Sequence, residues 1–279
     1  MPTRLISFAG STITIEYDAD QAAHLVDFLY HFILPVANGQ PTPHKAYHLQ
    51  ASDGQLRLYE KESGLCRTGP AAVVAEYLLG ETCYQLAQQS QGGLLFHAAG
   101  LARQNKGLLL PGTMGAGKST LAAWLVSRGF DYLSDELVFI PDGTDTMRCF
   151  ARPLNLKHPS RLALQDQLDY AAQSEHILTT PALDLVPAYL FNPNTTVSQP
   201  PLKLIIFPHY QAGAEFDLSS LSKAQAGLAA MQCLVNARNL TGHGFAEISR
   251  LAAQVPAYKL DYACFSQIGH HIETLMDTL

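Results

Sequence analysis

The stretch Gly112-Thr113-Met114-Gly115-Ala116-Gly117-Lys118-Ser119-Thr120 has the pattern Gly, four residues, Gly-Lys-Ser/Thr, and its residue types suit a polyphosphate. Gly112, Gly115 and Gly117 let backbone N–H groups turn inward on phosphate oxygens. Lys118 brings a point charge to the β- and γ-phosphates, and the Ser119 hydroxyl is a ligand for Mg²⁺. Thr113, Met114, Ala116 and Thr120 complete the cradle. A helix starting at this loop adds the positive end of its dipole to the same anion. The pattern therefore points to a nucleotide bound with Mg²⁺.

Asp135 and Glu136 follow sixteen residues after Ser119. Adjacent carboxylates there can either hold Mg²⁺ beside Ser119 or take a proton from an incoming hydroxyl in phosphoryl transfer. Upstream, His97 lies on a strand that leads by a turn into the loop. A two- to three-residue turn sets its imidazole beside Met114 to Gly115. Arg152 and Lys157 follow a short apolar segment; cations there either contact phosphates or stay solvated.

These residues need elements to position them. Leu108-Leu109-Leu110 reads as a buried strand into the loop, and Ser119 to Ser127 as a helix ended by Gly129. Leu94 to Arg103 reads as a strand joined to it by the polar turn Gln104-Asn105-Lys106-Gly107, an antiparallel hairpin where most phosphate loops follow a parallel sheet. Asp131 to Ile140 reads as a strand interrupted at Ser134-Asp135-Glu136. Pro70 opens a helix to about Ser90. Before it, Ile13 and Ile15 alternate in a strand, Asp20 to Phe32 is an amphipathic helix, and Pro35, Pro41 and Pro43 mark a loop. Tyr47 to Gln50 and Gln55 to Tyr59 flank Asp53-Gly54 as a hairpin. The expected division is a small α+β domain over residues 1–67 and a phosphate-loop domain over 68–279. In the latter, Gln173 to Pro201 reads as a long irregular excursion of the kind that forms lids. Lys203 to Phe207 and Ala257 to Tyr262 are strands, Ser222 to Leu234 and Phe245 to Gln254 are helices, and a single helix from Phe265 to Leu279 closes the chain.

Composition narrows the partners. With 279 residues, a net charge of −6 and 15% charged residues, there is no basic stripe to attract nucleic acid or an anionic membrane. No apolar run approaches a membrane span, and no signal peptide is expected. The five cysteines are dispersed without a Cys-x-x-Cys pair, which fits reduced thiols and a cytoplasmic location. A homo-oligomer is compatible with all of this.

Together these residues resemble the bacterial HPr kinase/phosphorylase group, and within it the branch of HPr-kinase-related kinases. The match rests on His97 fifteen residues before Gly112, on the phosphate loop with its helix ending Arg128-Gly129, and on Leu133-Ser134-Asp135-Glu136. Phe96-His97-Ala98-Ala99, Arg152-Pro153 to Leu156-Lys157, and Gly242 to Phe245 are similar to the branch as well. The resemblance runs from about residue 70 to the end. It implies an α/β fold with a mixed sheet, shared with phosphoenolpyruvate carboxykinases, and transfer of phosphate from ATP to a serine-type hydroxyl. It further implies that Lys118 holds phosphates, Ser119 and Glu136 lie at Mg²⁺, Asp135 is the base, and His97 assists near the γ-phosphate; donation from a protonated His97 is one reading of its position beside the loop, and a satisfied core histidine is the other. Glu136 stands where the founding family has Asp.

Three functions compete: a kinase for a protein or peptide hydroxyl, a kinase for a small metabolite, and a nucleotide switch without transfer. A guanine-reading Asn-Lys-x-Asp is absent, since Asn105-Lys106 is followed by Gly107-Leu108. Metabolite kinases often carry an Arg-rich lid, and Gln173 to Pro201 has neither Arg nor Lys. A protein or peptide acceptor is the expectation.

Overall fold

The computed structural model describes residues 1–18, 20–33, 42–196 and 198–279. It is a mixed α/β structure, built on an eight-stranded sheet flanked by a five-stranded and a three-stranded one. In the eight-stranded sheet, Gly93–Arg103 is the longest strand and pairs antiparallel with Lys106–Pro111, Leu137–Pro141 and Asp131–Ser134. Lys106–Pro111 then runs parallel to Leu202–Tyr210, which runs parallel to Ala257–Tyr262. Three parallel strands thus end on the same side, where the loop at Gly112 begins, and the crevice beyond such ends is where ligands bind in α/β sheets.

The hairpin before the loop is antiparallel as its sequence suggested, but the turn sits elsewhere. Gln104 and Asn105 alone form it, with φ of 52° and 60°, because an Asn-type residue tolerates the left-handed region that a two-residue hairpin turn requires. Lys106 and Gly107 belong to the strand. Pairing ends at Ala98 and Pro111, so His97 falls opposite the start of the loop at Gly112 and not opposite Met114 to Gly115.

The helix Lys118–Ser127 is buried on every side from Leu121 to Val126, as expected of an apolar helix between a sheet and a covering layer. Gly129, at φ 89°, turns the chain after it. The covering layer is the chain's end, where Phe265 stacks on Trp124 with centroids 4.9 Å apart. The expected single closing helix is broken: Gly269, at φ 52°, separates Phe265–Ile268 from His271–Thr278.

The segment Gln173 to Pro201 is also less irregular than expected. Leu178–Thr179 and Leu183–Val186 join Leu154–Lys157 in the three-stranded sheet. Leu183 and Leu185 are buried, and so is Asp184, whose carboxylate takes paired hydrogen bonds from Arg161 at 2.6 and 2.7 Å. Strand-forming Leu-Asp-Leu-Val alternation competes here with the surrounding prolines and wins locally. Val197, within this segment, lies outside the described residues.

In the five-stranded sheet, Ser11–Tyr17 pairs with Thr3–Phe8 and Lys45–Ser52, and the hairpin at Asp53-Gly54 is present. Pro35 and Pro41 lie outside the described residues. The helix Ala71–Gln89 buries Val74, Ala75, Leu78 and Leu79 in one core with Ile13, Ile15, Leu56 and Leu58 of this sheet, and with Leu95 and Phe139 of the larger one. That helix therefore lies between the two sheets, with its outer face left for the site.

Candidate functional site

The loop is shaped by backbone conformation. Gly115 and Gly117 have φ of 87° and 92°, a region that costs other residues roughly 1–2 kcal/mol. Gly117 is required twice over, because a Cβ there would stand 2.5 Å from the Tyr262 hydroxyl. The Tyr210 N–H donates to the Ala116 carbonyl at 3.1 Å, which ties the loop to the neighbouring strand. Lys118 folds back along it, and its ammonium donates to the carbonyls of Gly112 at 2.7 Å and Thr113 at 3.0 Å. Burial lowers the Lys118 pKa, so its charge is held with little water around it. Thr120 and Ser160 hydroxyls meet at 2.8 Å and join the helix to the segment beside the cavity.

The facing wall is made of side chains. The Ser134 hydroxyl accepts from the N–H groups of Glu136 and Leu137 at 3.2 and 3.1 Å, a local turn that breaks the strand and presents both carboxylates. Asp135 is completely buried. Its Oδ1 accepts from the Tyr132 hydroxyl at 3.0 Å and lies 3.2 Å from Arg152 Nη2, while Oδ2 accepts from the Asn155 N–H at 2.9 Å. Of the roughly four lone-pair positions of a carboxylate, one is left. The Glu136 side chain is 34% exposed, and only its Oε2 is bonded, accepting from Arg152 Nη2 at 2.9 Å. Its Oε1 has no hydrogen-bond partner among the described residues.

Arg152 is neither solvated nor in the lining of the cavity beside the Gly112 to Thr120 loop. It is 5% exposed; burial opposes its charge, but Asp135 and Glu136 outweigh that and raise its pKa. Lys157 lines the loop's cavity with Lys118, and is exposed and without an ion-pair partner among the described residues.

His97 reaches the site from its strand, with Nε2 3.6 Å from Glu136 Oε1, beyond hydrogen-bond distance. Burial, reinforced by the Lys118 charge, lowers its pKa against the pull of Glu136 and Asp135, so the imidazole is neutral at neutral pH. The protonated form expected from sequence is not the resting one.

Two cavities meet at this wall. One, of about 710 Å³, is lined by Met114, Gly115, Gly117, Lys118, Ser119 and Thr120 on one side and by Asp135, Glu136 and Lys157 on the other. Tyr210, Tyr262 and Phe265 form its apolar end. The second, of about 540 Å³, lies against the helix Ala71–Gln89 and includes Arg152. His97, Glu136 and Asn155 line both.

The donors in the first cavity suit Mg²⁺ held with a nucleotide. Among the described residues no cluster of three or more His, Cys, Asp or Glu could hold a metal by itself. Mg²⁺ in such sites characteristically takes one or two carboxylates and completes its shell from phosphates and water. The Ser119 hydroxyl and the remaining Asp135 lone pair, with Glu136 adjacent, supply that kind of set.

Tyr132 and Asn155 escaped sequence reasoning. Asn155 acts through its backbone N–H, which leaves no residue-type signal, and Tyr132 acts from the strand before the turn.

No family model and no curated protein matches the chain. Among solved structures it is similar to the HPr(Ser) kinase/phosphatase from Coxiella burnetii, at 15% identity and a TM-score of 0.35, over 66% of this chain and 94% of that one. Among the described residues no helix is long and apolar enough to cross a membrane.

Proposed function

We propose that this chain is an ATP-dependent kinase that moves the γ-phosphoryl group to a serine-type hydroxyl of a protein or peptide. The observation that carries this reading is the meeting of a glycine-built phosphate loop and an arginine-braced carboxylate pair across one cavity. A switch needs the first wall; group transfer needs the second as well.

In this reading Lys118 releases the carbonyls of Gly112 and Thr113 to reach the β- and γ-phosphates, and loop N–H groups hold their oxygens. Ser119 and Asp135 hold Mg²⁺, which when bound offsets charge on the phosphates. Glu136 is the proton acceptor. This reverses the division of roles implied by the resemblance, and the reason is occupancy: Asp135 has three of its lone-pair positions taken, whereas Glu136 has a free oxygen. The acceptor oxygen bonds the γ-phosphorus as the bond from that phosphorus to the bridging oxygen breaks. ADP leaves with the electron pair, and the hydroxyl proton passes to Glu136. His97, neutral at rest, donates an N–H toward the γ-phosphoryl oxygens.

The test is incubation of the intact chain with γ-labelled ATP and a degenerate serine-containing peptide mixture. Label is expected on peptide serine. If neither peptide nor water accepts it, the kinase reading fails and a nucleotide-binding module takes its place.

A further inference from the structure

We infer that the second cavity is the acceptor site, and that it takes a polypeptide segment with a carboxylate-bearing side chain close to the reacting hydroxyl. The inference rests on the kinase reading and adds where the acceptor lies and what recognises it.

In-line transfer needs the acceptor on the side of the γ-phosphorus opposite the leaving oxygen. A nucleotide held by the loop fills the first cavity from the Lys118 side, and the residues open to both cavities are His97, Glu136 and Asn155. A hydroxyl arriving through the second cavity meets the free oxygen of Glu136 at that junction.

Gly80 borders the second cavity. It lies inside the helix Ala71–Gln89, where glycine costs about 1 kcal/mol relative to alanine. Its φ is not left-handed, and an added Cβ would meet no atom of the described residues within 4 Å, so none of them requires a glycine there. Gly80 does line the second cavity, and any larger residue would project into it. The missing side chain keeps the groove open.

Tyr84 and Val235 are 55% and 39% exposed at the groove, large apolar surfaces without protein cover. Arg238 is exposed and has no ion-pair partner among the described residues. Arg152 lines this cavity and not the other, but its charge is already met by Asp135 and Glu136. The wall bearing Val235 and Arg238 is braced. Buried Asn236 accepts from Leu95 N–H and donates to the Gly93 carbonyl, both at 3.0 Å, while Asn239 donates to the carbonyls of Gln88 and Ser90 at the end of the helix. A groove of about 540 Å³ with apolar sides and an exposed guanidinium suits a peptide better than a single small polyol.

The test uses the full chain with γ-labelled ATP and a serine-centred peptide library carrying Asp, Ala or Lys at fixed neighbouring positions. Gly80→Trp, with Gly80→Ala as the folding control, is expected to lower the ratio of peptide transfer to ATP hydrolysis at least tenfold. Arg238→Glu is expected to turn a preference for Asp-containing peptides into one for Lys-containing peptides. If the parent transfers label and Gly80→Trp leaves the ratio unchanged, or Arg238→Glu leaves charge preference unchanged, the acceptor site lies elsewhere. If the parent hydrolyses ATP but labels no peptide, the peptide class is wrong. If it does neither, the kinase reading itself has failed.

Discussion

The two walls of the cavity beside the Gly112 to Thr120 loop are built in opposite ways. The loop from Gly112 to Thr120 is made by backbone conformation over a few consecutive residues, with left-handed glycines and a lysine that bonds its own loop. The facing wall is made by side chains from three separate segments, Tyr132 to Glu136, Arg152 to Asn155, and His97. A local wall can lose one side chain and keep its shape. A wall of mutually neutralising charges cannot, because each buried ion depends on the others.

The largest effect should therefore come from Arg152→Ala. It leaves Asp135 buried without its cation, a loss of about 3–5 kcal/mol in stability. Thermal unfolding should show a Tm lower by roughly 5–15 °C. An unchanged Tm would mean the carboxylates are hydrated and the side-chain wall is not a buried ion cluster.

Lys118→Ala should do the reverse. Calorimetry should show Mg-ATP affinity falling roughly a hundredfold, the scale of a lost bond to a charged group, with Tm unchanged or raised because a buried ammonium is removed. Unchanged affinity would end the phosphate-loop assignment.

A smaller effect links the walls through His97. Its pKa is lowered by burial and Lys118, so in the folded chain protonation is disfavoured relative to the unfolded one. Its contribution to stability is thus present above the ordinary histidine range and lost as pH falls through it. Bound phosphates oppose that depression. Mg-ATP binding should take up a fraction of a proton near neutral pH, measured as buffer-dependent binding enthalpy, and affinity should rise as pH falls. His97→Asn should abolish the uptake; uptake that persists would place the proton on another group.

The same contrast explains what the sequence could reveal. The loop, its strand and helix, and the break at Ser134 were legible because each depends on neighbours in the chain. His97 was placed near the loop by hairpin logic, but opposite Met114 to Gly115, whereas a two-residue turn at Gln104-Asn105 carries it only to Gly112. Arg152 was visible as a cation but not as a buried one, since nothing local encodes its partners sixteen and seventeen residues away. The strand Leu183–Val186 was missed because its partner lies in a different segment and prolines surround it. The second cavity has no motif. Its marks are an unforced glycine in a helix and an unpaired arginine, which become informative only once the helix face is known.

The central claim is that the side-chain wall performs phosphoryl transfer over the backbone-built loop, with Glu136 receiving the proton. Single-turnover transfer of the γ-phosphoryl group from bound ATP, compared for the parent, Glu136→Gln and Asp135→Asn, tests it most directly. Glu136→Gln keeps size and hydrogen bonding but cannot accept a proton, so transfer should fall by roughly 10²-fold or more while Mg-ATP affinity stays within a few-fold. Asp135→Asn should lower thermal stability and raise the Mg²⁺ concentration required. Parent-like single-turnover transfer by Glu136→Gln, with transfer lost in a fully folded Asp135→Asn, would contradict the account and return the base to Asp135.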